Sequence, residues 1–434
     1  MYRLKVETDR SKNMPSKLIA KLKGVKAFEE NIISKNEPVE YIGSGIPVLD
    51  ILFSGMVNHG IKKGHMTEIA APSTMGKSLI GLYYLATAYH AGMDCLVVSS
   101  EGAFNFKLAQ RLGVNTDDII VFESKFIHQI NEFVTNAQKG LTRKERHNVF
   151  LLFDSWGPII SLQRVESIQK QTGKDQPTAD MGQTAIKKNE LAKLINASEF
   201  TSLVINHVYD SLEQYKDPKN IPGGCELYFN SDAIVLVCTN GRAYRTKKTS
   251  TQKASKIGKI ATAQIKKGRD GMEDRACEYR ILTNGGIDRW YGLVEDALAS
   301  GVAVEIKKGN QGTFLHRPDY DIDKETGELL REFRWTDDDT DECNTQAFME
   351  QIISDPKFLA YIEKQYMYDV SLFAKDLVGE MPAPLTEEEE TKKKTRKSKL
   401  KEEAAATPKN ISDEIEAVQE ETVAEIAAKD AKAR

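Results

Sequence analysis

The chain has 434 residues, 40% hydrophobic and 29% charged, with a formal net charge of −4. That balance fits a cored, soluble protein of about two to three domains. It excludes a membrane span, because no apolar run reaches the roughly 18 residues required, and Met1-Tyr-Arg-Leu-Lys5 lacks the apolar stretch of a secretory leader. A cytoplasmic protein with no membrane partner is expected. The five cysteines have no C-x-x-C spacing, which fits a reducing compartment better than a disulfide scaffold or a structural zinc site.

Residues 1–37 are basic, and Ser16-Lys-Leu-Ile-Ala-Lys-Leu-Lys23 spaces its apolar residues for one helix face. By composition this is either a solvated arm or an arm that packs on a neighbouring subunit. From residue 38 the pattern alternates between β and α. Tyr41-Ile-Gly-Ser-Gly-Ile-Pro-Val-Leu-Asp50 leads into a glycine-punctuated stretch ending at Gly64. A strand is predicted over 66–70 and a helix over 79–89. Further strands are predicted over 94–99, 119–122, 148–153, 202–206 and 233–238, with helices over 104–112, 127–138 and 187–199. Residues 157–185 and 208–231 are polar and without a clean period. Strands that are nearly all apolar, alternating with helices, predict a mostly parallel sheet covered on both faces.

After residue 241 the composition changes. Arg242, Arg245, Lys247, Lys248, Lys253, Lys256, Lys259, Lys266, Lys267 and Arg269 precede the next acid, Asp270. Strands flank this zone over 260–265 and 277–282, and Asn284-Gly-Gly-Ile-Asp288 is a turn signal. Residues 293–375 read as a small mixed appendage with an acidic run over 337–342 and helices over 348–353 and 357–366. Past Pro382 the tail is charged and poor in aromatics, a composition that cannot bury a core. The expected division is an N-terminal arm (1–37), an α/β core (38–292), a small C-terminal domain (293–380) and a charged tail (381–434).

Ala71-Pro72-Ser73-Thr74-Met75-Gly76-Lys77-Ser78, followed by Leu79, joins a strand to a helix. That layout turns backbone N–H groups and the positive end of a helix toward an anion. Lys77 adds a mobile charge and Ser78 a hydroxyl for Mg²⁺. The pattern departs from a phosphate-binding loop only in having Ala71 where glycine is usual, and an ordinary β-turn-α connection is the competing reading. Asp154, closing an apolar strand downstream, is placed to hold Mg²⁺ opposite Ser78. Glu101 is placed to orient or deprotonate an attacking water, and His207 to report a γ-phosphate. Each of these could instead be a solvated turn residue; the joint arrangement favours nucleotide hydrolysis. The basic zone, including Arg245, Lys247 and Lys248, is either a solvated hairpin or a field suited to a nucleic-acid backbone.

In this order the motifs resemble the RecA-type recombinase family, and within it the phage UvsX branch. The stretches that carry the resemblance are Ser16-Lys-Leu18, Ser44–Asp50 with Ser54-Gly55, Ala71–Ser78, Ser100-Glu101-Gly102, Phe153-Asp154-Ser155, Ile205-Asn206-His207, Pro222-Gly223-Gly224, Ile265–Arg269 and Asn284–Asp288. They cover roughly residues 15–370. The resemblance implies a RecA-like P-loop ATPase core with ATP and Mg²⁺, and turns the N-terminal segment into a polymerisation arm. It implies a helical filament on single-stranded DNA that pairs with duplex DNA, with ATP between subunits and mediator and single-strand-binding proteins as partners. Lys267 and Arg269 would then act on a neighbour's ATP. Asn105 and Leu108 fall at adenine-side positions. Arg164, Lys170, Lys174, Lys216, Lys219, Gly223 and Gly224 fall on two DNA loops, 157–185 and 208–230. A ring helicase and an ATP-switched DNA-coating protein are the alternative uses of such a core.

Overall fold

The computed structural model describes residues 39–162, 164–165, 177–210, 219–221, 225–238, 243–245, 256–270, 273–283, 286–307, 309, 313–318, 325–327, 333–334 and 346–366. All of them belong to the first of two compact units, Met1–Tyr368 and Asp369–Arg434. The expected N-terminal arm, the acidic run over 337–342 and the charged tail lie outside the described residues.

In chain order the elements begin with β1 (Tyr41–Ile42), α1 (Pro47–Ser54), β2 (Ile61–Lys62), β3 (Met66–Ala71) and α2 (Lys77–His90). There follow β4 (Asp94–Ser99), α3 (Phe106–Arg111), β5 (Ile120–Glu123), α4 (Ile127–Gln138), α5 (Arg143–His147) and β6 (Val149–Asp154). Next are α6 (Pro177–Ser198), β7 (Thr201–His207), β8 (Tyr209–Asp210), β9 (Lys219–Asn220), α7 (Cys225–Asn230), β10 (Ala233–Cys238) and β11 (Ala243–Arg245). The last are β12 (Lys256–Gly268), β13 (Ala276–Leu282), β14 (Ile287–Asp288), α8 (Leu293–Ala299), β15 (Val304–Lys307), β16 (Thr313–His316), β17 (Phe333–Arg334), α9 (Gln346–Ile353) and α10 (Pro356–Tyr366).

The main sheet runs β14-β13-β12-β10-β3-β7-β6-β4-β5, with β11 paired to β12. From β10 to β5 every pairing is parallel. The β12, β13 and β14 edge is antiparallel. Alternation along each strand feeds two cores. Phe150 and Leu152 of β6 pack with Ile80, Leu82 and Leu85 of α2 on one face. Leu151 and Phe153 pack with Ile130, Val134, Leu191 and Ile195 of α4 and α6 on the other. Burial on both faces is why these strands read as unbroken apolar runs. Each such side chain contributes about 1.5–3 kcal/mol when fully buried. A third cluster joins Trp290, Leu293, Leu315, Phe348, Ile352, Phe358 and Ile362, beside the small antiparallel sheet β15-β16-β17.

Three expectations need correcting. The helix expected from residue 187 starts at Pro177, so the polar stretch expected over 157–185 is helical in its last third. Pro177 is itself a start signal, since proline fits the first helical turn. The apolar stripe is missing there because the described core contacts of α6 fall at Leu191, Ala192 and Ile195. The stretch 208–231 contains α7 and the β8–β9 pair. Helix α1 begins within the Tyr41–Asp50 stretch, again with proline in its first turn, and runs into the glycine-punctuated one.

Candidate nucleotide site

The site lies at the carboxyl ends of β3, β4, β6 and β7, where an open α/β sheet binds its ligands. β3 delivers the phosphate loop. Ala71 is its last strand residue, fully buried and paired with His207. The left-handed residues of the loop are Thr74 (φ 67°) and Gly76 (φ 76°), while Ala71 is in the strand. Alanine therefore meets no backbone strain at this position, and its methyl group packs into the core. At Gly76 the positive φ favours glycine, and a Cβ there would come within 3.0 Å of Ile281 Cδ1, so the isoleucine would have to shift. α2 starts directly after Gly76, and Ile80 N–H donates to the Gly76 carbonyl at 2.9 Å, which aims the helix N-terminus at the loop. Lys77 is buried and contributes a field at Glu101 and Asp154.

Burial raises the pKa of Asp154, opposed by the side chain of Ser78 and by the positive charge of Lys77. A hydroxyl and a carboxylate oxygen at the mouth of a phosphate loop suit a hard divalent cation, which takes its remaining ligands from phosphate and water.

Glu101 follows β4, and Ser155 follows β6 through a cis peptide bond with Asp154. Ser155 Oγ donates to Glu101 Oε1 at 2.5 Å. His207 Nε2 lies 2.9 Å from the same oxygen and 3.1 Å from Ser155 Oγ. The Ser155 hydrogen bond, followed by His207, lowers the pKa of Glu101. A serine, a histidine and a carboxylate are thus together, but not as an acyl-transfer triad. The serine proton points at the carboxylate, and a single histidine nitrogen meets both partners, so no relay to a base exists. The triangle instead presents an ionised carboxylate in a fixed pose, suited to orienting a water.

Ser100 Oγ supports the triangle, donating to the Ser155 carbonyl at 2.6 Å and accepting from Ser155 N–H at 3.0 Å. Beneath it, Asn206 Oδ1 accepts from His207 N–H at 2.9 Å, and Asn206 Nδ2 donates to buried Glu68 at 2.7 Å. Burial raises the Glu68 pKa to about 7. The His207 ring packs on Gly157, where a Cβ would fall 2.9 Å from His207 Cδ2. The Gly157 carbonyl takes Lys188 Nζ of α6 at 3.0 Å, and the Trp156 carbonyl takes it at 3.2 Å. Burial lowers the Lys188 pKa to about 8.

Lys267 and Arg269 are elsewhere. Lys267 pairs with Ile234, which pairs with Glu68 near the start of β3. The phosphate loop leaves the other end of β3, about 10 Å or more further along at the rise of a strand. Lys267 Nζ donates to the carbonyls of Tyr228, Phe229 and Ser231 at 2.6, 3.0 and 2.9 Å, and Arg269 donates to Phe229 at 3.0 Å. Desolvation lowers the Lys267 pKa, and Arg269 adds to the effect.

Asn105 caps α3, its side chain accepting from Leu108 N–H at 3.0 Å. Arg164 is half-buried, and its N–H donates to Ser161 Oγ at 3.3 Å. Lys219 lies on β9 and Arg245 on β11. Lys170, Lys174, Lys216, Gly223, Gly224, Lys247 and Lys248 lie outside the described residues. Sequence reasoning gave Glu68, Ser100, Ser155 and Tyr279 no role of their own, and it counted Lys259 in the basic zone. An acid inside the apolar strand Met66-Thr-Glu-Ile-Ala was a usable signal for Glu68, since a buried carboxyl demands a partner.

The family model of the RecA N-terminal domain matches residues 16–288. The chain belongs to the RecA family. The recombination and repair protein of Enterobacteria phage T4 is 24% identical over 358 residues, covering 81% of this chain and 83% of that protein. RecA of Campylobacter jejuni subsp. doylei is 27% identical over 271 residues, covering 60% and 71%. RecA of Streptomyces coelicolor is 25% identical over 267 residues, covering 61% and 67%. Membership brings nucleotide binding with a divalent metal and DNA-dependent ATPase activity in the service of recombination. No helix among the described residues is long and apolar enough to cross a membrane.

Proposed function

We propose that this RecA-family chain polymerises on single-stranded DNA and, with ATP and Mg²⁺, pairs it with homologous duplex and exchanges strands. The phosphate loop, Ala71 to Leu79, holds the nucleotide, with Lys77 on its β- and γ-phosphates. Ser78 and Asp154 hold Mg²⁺. Glu101 orients the attacking water, and His207 feels the γ-phosphate. Asn105, at the start of α3, stands on the adenine side. Lys267 and Arg269 of one subunit neutralise the γ-phosphate charge held by the next, as an arginine finger does. Arg164, Lys170, Lys174, Lys216, Lys219, Gly223 and Gly224 meet single-stranded DNA. Arg245, Lys247 and Lys248 meet duplex. The N-terminal segment 1–37 links subunits ahead of a core to 292, a small domain to 380 and a charged tail. Mediator and single-strand-binding proteins load it in the cytoplasm, that of a host cell if a phage encodes it.

One observation carries this reading. The phosphate loop has Glu101, Asp154 and His207 around it within the chain, while Lys267 and Arg269 sit at the far end of the same sheet, which supports a reading in which a second copy supplies them. Atoms on opposite ends of one rigid element meet only through head-to-tail association, which yields a ring or a helical filament. ATP turnover measured with and without single-stranded DNA, imaged by negative stain, tests it. The expected result is strong DNA stimulation on open helical filaments; closed rings with unwinding activity would contradict it.

A further inference from the structure

The antiparallel edge of the sheet reaches under the phosphate loop. The buried Tyr279 hydroxyl donates to the Met75 carbonyl at 3.0 Å. Ile281 fills the space beside Gly76. Directly across from Ile281 in the β12–β13 register is Lys259, whose ammonium donates to the Thr74 carbonyl and lies 3.2 Å from Thr74 Oγ1. Thr74 is the non-glycine residue of this loop held in the left-handed region, a conformation that costs about 1–2 kcal/mol. When the N–H groups of such a loop turn inward to an anion, its carbonyls turn outward and need donors of their own. Lys259 and Tyr279 supply donors to consecutive carbonyls.

We propose that Lys259 is a positioning residue of the nucleotide site, which clamps the Thr74 bend and so keeps the phosphate loop in its anion-binding form. The inference rests on the reading of residues 71–78 as the loop that holds nucleotide phosphates. It removes Lys259 from the basic zone that faces DNA. It also gives β12 two duties. One end braces the strand's own phosphate loop, and the other carries Lys267 and Arg269 toward the neighbouring subunit. Nucleotide at one site is thereby joined to the next through a single continuous strand.

The test uses the full chain with Lys259→Met, Lys259→Arg and, as a control, Lys77→Ala. Two readouts are taken: the affinity for a fluorescent ADP without DNA, and kcat and KM for ATP with saturating single-stranded DNA. Loss of a charge-assisted hydrogen bond predicts that Lys259→Met weakens ADP affinity and raises KM by about tenfold, with kcat kept within about twofold. Lys259→Arg restores most of both. The salt dependence of DNA binding stays that of the wild type. Unchanged ADP affinity and KM in Lys259→Met overturn the proposal. So does a flattened salt slope as the variant's sole effect, which would return Lys259 to the DNA surface. An equal loss in Lys259→Arg overturns it as well. Wild-type affinity in Lys77→Ala would instead sink the phosphate-loop reading itself, and is distinguishable because it does not involve Lys259.

Discussion

The two ends of the β3–β10–β12 sheet region carry different sets of groups, proposed above as halves of one chemistry. At the carboxyl end of β3, the side chain of Ser78 acts on Asp154, and Glu101 is held by both Ser155 and His207. That end has the phosphate loop with buried Lys77, two acids and the histidine that we propose as a sensor. At the amino end, Lys267 and Arg269 are parked on the carbonyls that close α7, beside exposed Tyr228 and Phe229. A helix C-terminus is a natural rest for cations. That end has the two cations that we propose act on a neighbour's phosphate, and no phosphate loop of its own among the described residues. On the proposed reading neither end is a whole active site, and the strand that separates them fixes their spacing.

Breaking the carboxyl end should have the largest effect. Glu101→Gln keeps the hydrogen-bonding shape but removes the charge proposed to orient the water. Turnover should fall by about 10²–10⁴-fold, the usual worth of a positioned base, while nucleotide affinity stays close to that of the wild type. Steady-state ATPase together with an ADP-binding titration checks both halves. Unchanged turnover would reduce ATP to an assembly signal.

A smaller effect sharpens how the two ends communicate. Glu68 lies between them, bonded to Asn206 and within the field of Lys267. Its folded pKa, about 7, is above the usual 4.5, so the folded chain binds this proton more tightly than the unfolded chain. Its effect on stability is most favourable below pH 4.5, fades as pH rises from 4.5 through 7, and is level above that. Glu68→Gln removes the cost. The variant should gain on the wild type as pH goes from 5 to 8, by about 1–3 kcal/mol at the top. Denaturant melts at the two pH values check it, and a pH-independent difference would contradict it.

The smallest effect belongs to Ala71. Because it is extended and buried, restoring glycine should not tighten nucleotide binding. Ala71→Gly should cost about 0.5–1 kcal/mol of stability from backbone entropy and lost packing. A clear gain in nucleotide affinity would show that the methyl group obstructs the loop.

The parallel core was legible because burial on both faces forces apolar runs such as Val149–Phe153, and a run that stops at Asp154 or His207 announces a strand end. What sequence could not supply was direction and distance. Nothing local says that β12 runs against β10, yet that alone sends Lys267 to the far end and Lys259 to the phosphate loop. Thr74 and Lys259 are 185 positions apart. A tally of cations over 242–269 merges side chains that the fold sends to opposite ends of one strand. The start of α6 was hidden for a different reason: no apolar period marks its polar first turns, and only Pro177 signals the boundary.

The central claim, that each site is completed by a second copy, has a direct test in mixing two inactive variants. Lys77→Ala lacks the phosphate-loop lysine but keeps Arg269, and Arg269→Ala is the reverse. If the site is shared head to tail, a random equimolar mixture pairs an intact loop with an intact arginine at about a quarter of its interfaces. DNA-stimulated turnover should then recover to about a quarter of the wild-type rate, although each variant alone is nearly silent. A mixture no more active than the average of its two components would place Arg269 and Lys77 in the same subunit's chemistry and contradict the account.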